Sequence, residues 1–295
     1  MTSIALIGPG AIGGTVAAWI AQDATYSVTI CARTAFDELR VETPQGAITA
    51  QPRVLTDPAE AEVVDWVLVA TKTYDSDSTK GWLDRLVGQG TRVAIIQNGV
   101  EHVHLFEHLV PAEQLVPVMI NLPAVRHAPG QIVQHRHGII AVPAGRNGED
   151  FVALFAHTEI EAAAHADFLS QAWIKLTGNC IAIVPSLTLR ATGPVWSDDL
   201  EAIVRGLVEE CVAVGRAEGA VIPDSVIEST VAASRAMSEG SVAGSLHADR
   251  LAGNRMEVDA RNGVIVRLGR KHGIPTPMNA VLVTLLGASG SPWVK

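Results

Sequence analysis

The chain has 295 residues, 48% of them hydrophobic and 18% charged, enough length and apolar material for two domains with sizeable cores. Its 22 Lys and Arg against 31 Asp and Glu give a formal net charge of −9, and it has only two tyrosines and five phenylalanines. That balance argues against non-specific nucleic-acid binding and against an aromatic base-stacking platform.

Cys31, Cys180 and Cys211 are far apart and form no C-x-x-C pair, so buried thiols in a reducing compartment are expected rather than a disulfide framework. The apolar start lacks a basic leader and is interrupted by Gly and Pro, and no uninterrupted apolar run is long enough to span a membrane. A soluble cytoplasmic protein is expected.

The run Ile4 to Ile7 breaks into Gly8-Pro9-Gly10-Ala11-Ile12-Gly13 and continues as an alanine-rich segment to Ala21. Strand, glycine turn and helix follow one another, and the spacing Gly8, Gly10, Gly13 fits G-x-G-x-x-G in the context that dinucleotide binding requires. Gly8 allows the tight turn, Gly10 lets the backbone approach a pyrophosphate, and Gly13 lets the helix pack on the strand. The helix start offers unpaired N–H groups and a positive dipole end to the phosphates.

Tyr26–Cys31 reads as the second parallel strand. Dinucleotide sites that take NAD place Asp or Glu at its end to accept from the ribose 2′-hydroxyl. Here the chain runs Cys31-Ala32-Arg33-Thr34; with no carboxylate and an arginine able to hold a 2′-phosphate, NADP(H) is favoured. A solvated arginine at a strand end is the plain alternative.

Val41–Thr43 and Ala47–Thr49 flank Pro44-Gln45-Gly46 as a hairpin. Val64–Ala70 is a buried strand running into Thr71-Lys72-Thr73, Ser76–Leu86 reads as a helix, and Arg92–Ile96 is a strand ending in Gln97-Asn98-Gly99. Gly10, Arg33, Lys72 and Asn98 thus fall at carboxyl ends of strands, where open α/β sheets gather ligands. Singly, Lys72 could be a solvated lysine and Asn98-Gly99 a plain turn.

Glu101–Leu109 reads as a helix, and Leu115–Ile120, Gln131–His135 and Gly138–Val142 as antiparallel strands extending the sheet. His135 and His137 share a strand face but lack a third ligand at a recognisable spacing, so no metal site is assigned. Past Asp167 helical periodicity takes over, in Phe168–Leu189 ending near Pro185, Ser197–Ala217, Ser225–Met237, Met256–His272 and Asn279–Leu286, with Gly273-Ile274-Pro275 as a stop signal. The expected class is α/β: a Rossmann-type parallel-sheet domain over 1–165, then an all-α domain over 166–295.

In Trp173-Ile174-Lys175-Leu176-Thr177-Gly178-Asn179-Cys180, Lys175 and Asn179 stand at i and i+4 on one helix face. A partly desolvated lysine can protonate a carbonyl being reduced by hydride; a snorkelling lysine beside a structural asparagine fits the spacing equally well. Glu257 opens the helix Met256–His272, where the dipole favours a carboxylate; pairing with Lys175 or a ribose hydroxyl is the functional reading.

GPGAIGG at the start, Lys72 after a strand, QNG at 97–99, WIKLTGN at 173–179, SLHAD followed by MEVDARNG, and HGIPTP near the end together resemble the ketopantoate reductases (2-dehydropantoate 2-reductases) over nearly the whole chain. The resemblance implies a Rossmann domain joined to a helical domain with the active site between them. It implies NADPH-dependent reduction of 2-dehydropantoate to pantoate on the way to pantothenate and coenzyme A.

By the same resemblance, Lys175 is the catalytic lysine and Glu257 its partner carboxylate. Asn98 contacts cofactor and substrate, Asn179 and Ser245 contact substrate, with Ser245 at the carboxylate. Gly8, Pro9, Gly10, Ala11, Ile12 and Gly13 form the pyrophosphate loop, and Arg33 and Lys72 surround the 2′-phosphate. One departure stands out. Ile183 occupies the place of a second asparagine one turn beyond Asn179, so an apolar pocket wall is expected and a different, less polar 2-oxo acid is the alternative substrate. A non-catalytic NADP(H)-binding sensor is the alternative of another class. The partner is a small-molecule 2-oxo acid, and homodimerisation through the long C-terminal helices stays open.

Overall fold

The computed structural model describes residues 1–238, 240 and 244–289. Its contacts divide the chain into two compact units, one of 1–97 and 101–168, the other of 98–100 and the chain from Leu169 onward.

The first unit runs β1 (Thr2–Ile7), α1 (Ala11–Ile20), β2 (Tyr26–Cys31), the hairpin β3 (Leu39–Thr43) and β4 (Gly46–Ala50), then β5 (Arg53–Leu55) and β6 (Trp66–Val69). It continues through α2 (Lys80–Leu86), β7 (Arg92–Ile95), α3 (His102–Phe106), β8 (Leu115–Pro117), β9 (Met119–Asn121), β10 (Ala124–Ala128), β11 (Gln131–Gln134), β12 (Gly138–Pro143), α4 (Arg146–Ala153) and β13 (Ile160–His165). Six strands form one sheet in the order β5-β2-β1-β6-β7-β8, all parallel. This is the doubly wound order, with its switch point between β1 and β6.

The period of two in the strands fills both sheet faces. Ile4, Leu6, Ile30, Trp66 and Leu68 belong to one buried cluster; Ala5, Ile7, Cys31, Val67, Val69, Val93 and Ile95 belong to another. A strand covered on both faces needs an unbroken apolar run, as in Trp66-Val67-Leu68-Val69.

The register aligns the strand ends. Ile7 pairs with Cys31 and with Val69, and Val69 with Ile95. The loops that follow β1, β2, β6 and β7 therefore leave one edge of the sheet together.

Beyond β8 the strands do not extend this sheet, contrary to the sequence-based expectation. β10, β11, β3 and β4 form a second sheet in which β11 runs parallel to β3, and β13, β12 and β9 form a third in which β12 is parallel to β13. Their turns and apolar runs are local features, but the choice of pairing partner is not.

The second sheet packs on α1, where Trp19 Nε1 donates to Gln134 Oε1 at 2.8 Å in the interior. In the same buried cluster α4 sets Phe151 against Trp66, with ring centroids 5.5 Å apart. The Ser76–Leu86 segment is a 3₁₀ turn over Thr73–Thr79 followed by α2.

The second unit holds α5 (Phe168–Cys180), α6 (Ile183–Thr188), α7 (Asp198–Ala217), α8 (Ser225–Arg235), α9 (Gly244–Leu251), a π turn (Asp259–Gly263), α10 (Val264–His272) and α11 (Pro277–Ala288). α7 supplies the spine: Val204, Leu207, Val208, Cys211, Val212 and Val214 are buried among Trp173, Leu176, Ile183, Val264 and Leu286. Ser197 caps it by accepting from Leu200 N at 3.2 Å, with Asp198, Asp199 and Glu201 in the first turn, where carboxylates suit the dipole.

The start of α11 is closed from outside. Glu210 on α7 accepts from the backbone N–H of Met278 at 2.7 Å and of Asn279 at 2.9 Å, filling two donors the helix cannot fill itself. All three cysteines are buried free thiols, and burial pushes the Cys31 thiol up to about 12. No helix among the described residues is long and apolar enough to cross a membrane.

A methyl group at Gly13 would stand 2.5 Å from Gly8 O and 2.8 Å from Ala70 Cβ, and neither neighbour can swing aside. Gly13→Ala is expected to destabilise the protein by about 1–3 kcal/mol, read as a lower urea midpoint at unchanged slope.

Candidate active site

The loop after β1 holds Gly8 to Gly13. Gly8 has φ +90°, and a Cβ there would lie 2.9 Å from both Thr71 Cγ2 and Thr71 N, so only glycine serves. Gly13 is equally closed, as described above. Gly10 differs, because a Cβ built on it meets nothing within 4 Å. The protein does not need glycine there for its own packing; a group approaching the backbone from outside would.

Gly10 caps α1 without a side chain, and the first turn, which begins Ala11-Ile12, carries no acidic residue. Its free N–H groups face an open cradle suited to an anion. Gly8 to Ile12, Pro9 included, are half-buried, and from Gly13 onward the helix is buried.

Arg33 is exposed, two residues beyond the end of β2, and Lys72 is half-buried at the start of the 3₁₀ turn that follows β6. The aligned register puts both segments at the same sheet edge as the glycine loop. The residues therefore fit a phosphate-rich dinucleotide: backbone donors at the glycine turn, cations on the neighbouring strand ends.

Gln97 at the end of β7 braces this edge. Its amide donates to Thr71 Oγ1 at 3.0 Å and to Ser76 Oγ at 3.1 Å, and its carbonyl meets His102 Nε2 at 3.0 Å. Sequence reading took QNG as one motif; its first residue ties loops together inside the first unit.

The second unit gathers the other predicted residues. Asn98 belongs to it by contact, and Asn98 Nδ2 donates to Glu257 Oε2 at 2.9 Å. Gly99 next to it passes so close to the π turn that a Cβ would lie 2.9 Å from Ala260 O.

Glu257 is 3% exposed. It lies just ahead of the π turn rather than opening a long helix, which corrects the expectation for Met256–His272. Gly263 N and Asn262 N both reach back to Val258 O at 3.0 Å. Such widened turns recur at functional sites.

Lys175 lies on α5, half-buried, with no ion pair or hydrogen bond to a described residue. Its ammonium is pushed down to about 8, first by burial, next by the positive charge of Arg261, with Glu257 pulling the other way. Asn179 follows one turn later, half-buried.

Ser245 starts α9, exposed, and its Oγ accepts from Arg261 Nη2 at 2.7 Å. Arg261 itself is 2% exposed. Sequence reading assigned it no role, although its i+4 spacing from Glu257 in MEVDARNG was visible.

Ile183 does not continue the face of Lys175 and Asn179. α5 stops at Cys180, the chain turns through Ile181-Ala182, and Ile183 starts α6 fully buried in the core. An apolar pocket wall at Ile183 is thereby ruled out. Asn262 Nδ2 covers the Cys180 carbonyl left open by the break, at 3.0 Å. His137 meets the Gln45 amide at 2.9 Å, and among the described residues no cluster of three metal-ligating side chains occurs.

The family model described as ketopantoate reductase PanE/ApbA matches residues 4–147, and the one for its C-terminal part matches residues 167–289. A 2-dehydropantoate 2-reductase from Caulobacter vibrioides is 56% identical over 289 residues, covering 98% of this chain and 99% of the relative. One from Mycobacterium tuberculosis is 38% identical over 291 residues, covering 98% of each. Among solved structures, the 2-dehydropantoate 2-reductase of Geobacter metallireducens superposes with TM-score 0.89 at 25% identity, over 97% of this chain and 99% of that one. With a doubly wound glycine-loop unit, a helical unit carrying Lys175 and Glu257, and both halves matched along their length, this chain belongs to the ketopantoate reductase PanE/ApbA family.

Proposed function

We propose that the protein reduces 2-dehydropantoate to pantoate with NADPH, a step of pantothenate and coenzyme A synthesis in the cytoplasm. The first unit is the NADP-binding domain and the second the substrate and catalytic domain. The observation that carries this reading is Lys175, a lysine whose ammonium is desolvated and pushed down to about 8 in the same unit as the Asn98–Glu257 hydrogen bond. A donor poised near working pH is what carbonyl reduction needs; a nucleotide sensor needs none.

NADPH held by the glycine loop, Arg33 and Lys72 would supply the hydride that reduces C2 of the 2-oxo acid. As the new C–H bond forms, the carbonyl π electrons move onto oxygen, and Lys175 hands that oxygen its proton while its charge stabilises the developing alkoxide. Glu257, fixed by the Asn98 amide, favours the charged form of Lys175, and the lysine regains its proton from solvent water once the product leaves. Asn179 and Ser245 orient the acid. In the first unit Gly8 to Gly13 receive the pyrophosphate, and Arg33 and Lys72 take the 2′-phosphate. With Ile183 in the core, the sequence argument for a less polar substrate loses its footing.

Lys175→Ala is expected to lower kcat by about 10²–10⁴-fold with NADPH affinity unchanged, measured by NADPH oxidation and by fluorescence titration; near-normal turnover would remove the assigned role. The active form is the protonated one, present below the lysine pKa and lost above it. At saturating NADPH, kcat/KM for reduction should therefore hold steady at neutral pH and fall about tenfold per unit once pH passes about 8. Gly10→Ala, whose methyl meets no protein atom, should leave the melting temperature unchanged and weaken NADPH binding by about tenfold or more, ~1.4 kcal/mol. Equal affinity in that variant would place the pyrophosphate elsewhere.

A further inference from the structure

We propose that Arg261 and Ser245 together form the seat for the carboxylate of the 2-oxo acid, with Arg261 the residue that makes the enzyme select an acid over an uncharged ketone. The proposal rests on the reductase reading above and adds to it a residue that the motif reading left idle.

A guanidinium taken out of water loses several kcal/mol of hydration unless an anion or a full set of acceptors replaces it. Arg261 is 2% exposed, yet its one direct partner among the described residues is Ser245 Oγ, at 2.7 Å from Nη2. Its Nε is enclosed with no acceptor. Glu257 and Asp249 act on its charge, but neither pairs with it directly. Lys175 stands close enough for the Arg261 charge to act on it. Glu257 and Asp249 offset the two positive charges, so what this buried cluster lacks is an acceptor for the enclosed guanidinium donors, and a ligand's carboxylate can supply it.

The chemistry of the ligand matches. In a 2-oxo acid the carboxylate and the ketone sit on adjacent carbons, so a group meeting the ketone oxygen and a group meeting the carboxylate must lie near one another. Lys175 is assigned to the first. A planar carboxylate suits the guanidinium fork, which binds such groups through two parallel N–H donors.

Ser245 completes the seat. Arginine has no acceptor, so the serine oxygen receives from Arg261 and its own hydrogen must point elsewhere. Ser245 is exposed, and that hydrogen is available to a carboxylate oxygen.

The test compares 2-dehydropantoate with its lactone, the same skeleton with the carboxylate converted into an internal ester, in the full-length enzyme. Arg261→Met keeps the length and apolar bulk of the side chain and removes the charge. Arg261→Gln also removes the charge but keeps a donor for Ser245, and it carries the test should the methionine variant fail to fold. NADPH affinity at the wild-type value certifies the fold of either variant.

The expected result is a rise of thirtyfold or more in KM for the acid, with KM for the lactone, which does not depend on the acidity of Lys175, within threefold of wild type. An unchanged KM for the acid, or equal losses on acid and lactone, overturns the proposal, the second outcome marking Arg261 as a structural residue. A wild-type enzyme inactive on 2-dehydropantoate and on other 2-oxo acids would overturn the reductase reading itself, and this proposal with it.

Discussion

Two like charges share one desolvated region of the second unit, Lys175 on α5 and Arg261 in the π turn, and the site is arranged around that tension. In water the pair would hardly interact; away from water their repulsion is strong enough to change a protonation equilibrium. Glu257 softens it without removing it, because the carboxylate is also engaged by the Asn98 amide at 2.9 Å. Burial first, and this repulsion second, leave the lysine less basic than a free one, so it gives up its proton more readily. The burial that makes an ion pair costly elsewhere here sets the acidity of a donor.

Holding charges that repel demands a stiff frame, and the neighbouring backbone supplies one. The π turn packs five residues where an α-helix would close its ring a residue earlier, and Asn262 inside it donates to the Cys180 carbonyl and to Asn279 Oδ1, at 3.0 and 2.8 Å. Asn279 passes the connection on to Glu210 Oε2 at 2.7 Å. The amide donors of this buried chain find acceptors, while Asn262 Oδ1 has none, and the bonds that form hold α5, the π turn, α11 and α7 in one register.

The glycine loop and the first strands were legible because their signals are local. Gly8 and Gly13 are forced by contacts within a few residues of the β1–α1 turn or with Ala70 and Thr71, and the hairpin announces itself through Pro44-Gln45-Gly46. The strand β13 was not legible: Ile160-Glu161-Ala162-Ala163-Ala164-His165 has little intrinsic β preference and is a strand because β12 pairs with it. Partner choice also decided that β9 to β13 form separate sheets.

Pro185 was visible but admits two readings. In the sequence it reads as the end of a helix, whereas in the fold it sits in the first turn of α6, where a missing N–H costs nothing. That one residue moved Ile183 from the cleft into the core. Arg261 was hidden for a related reason: a cation in a helix-like stretch reads as solvated, and only its enclosure in the folded unit shows otherwise.

The chain from Glu210 through Asn279 to Asn262 also decides where the protein can be handled. α11 comes last among the helices described, and its apolar face invites treatment as a peripheral cover. Its first turn, however, is anchored by Glu210 and in turn steadies the turn that carries Arg261 and follows Glu257. A reporter or linker spliced in ahead of Pro277 would reach the chemistry through the backbone, whereas the exposed hairpin tip at Gln45-Gly46, on the other unit, is tied to His137 rather than to that chain of polar side chains.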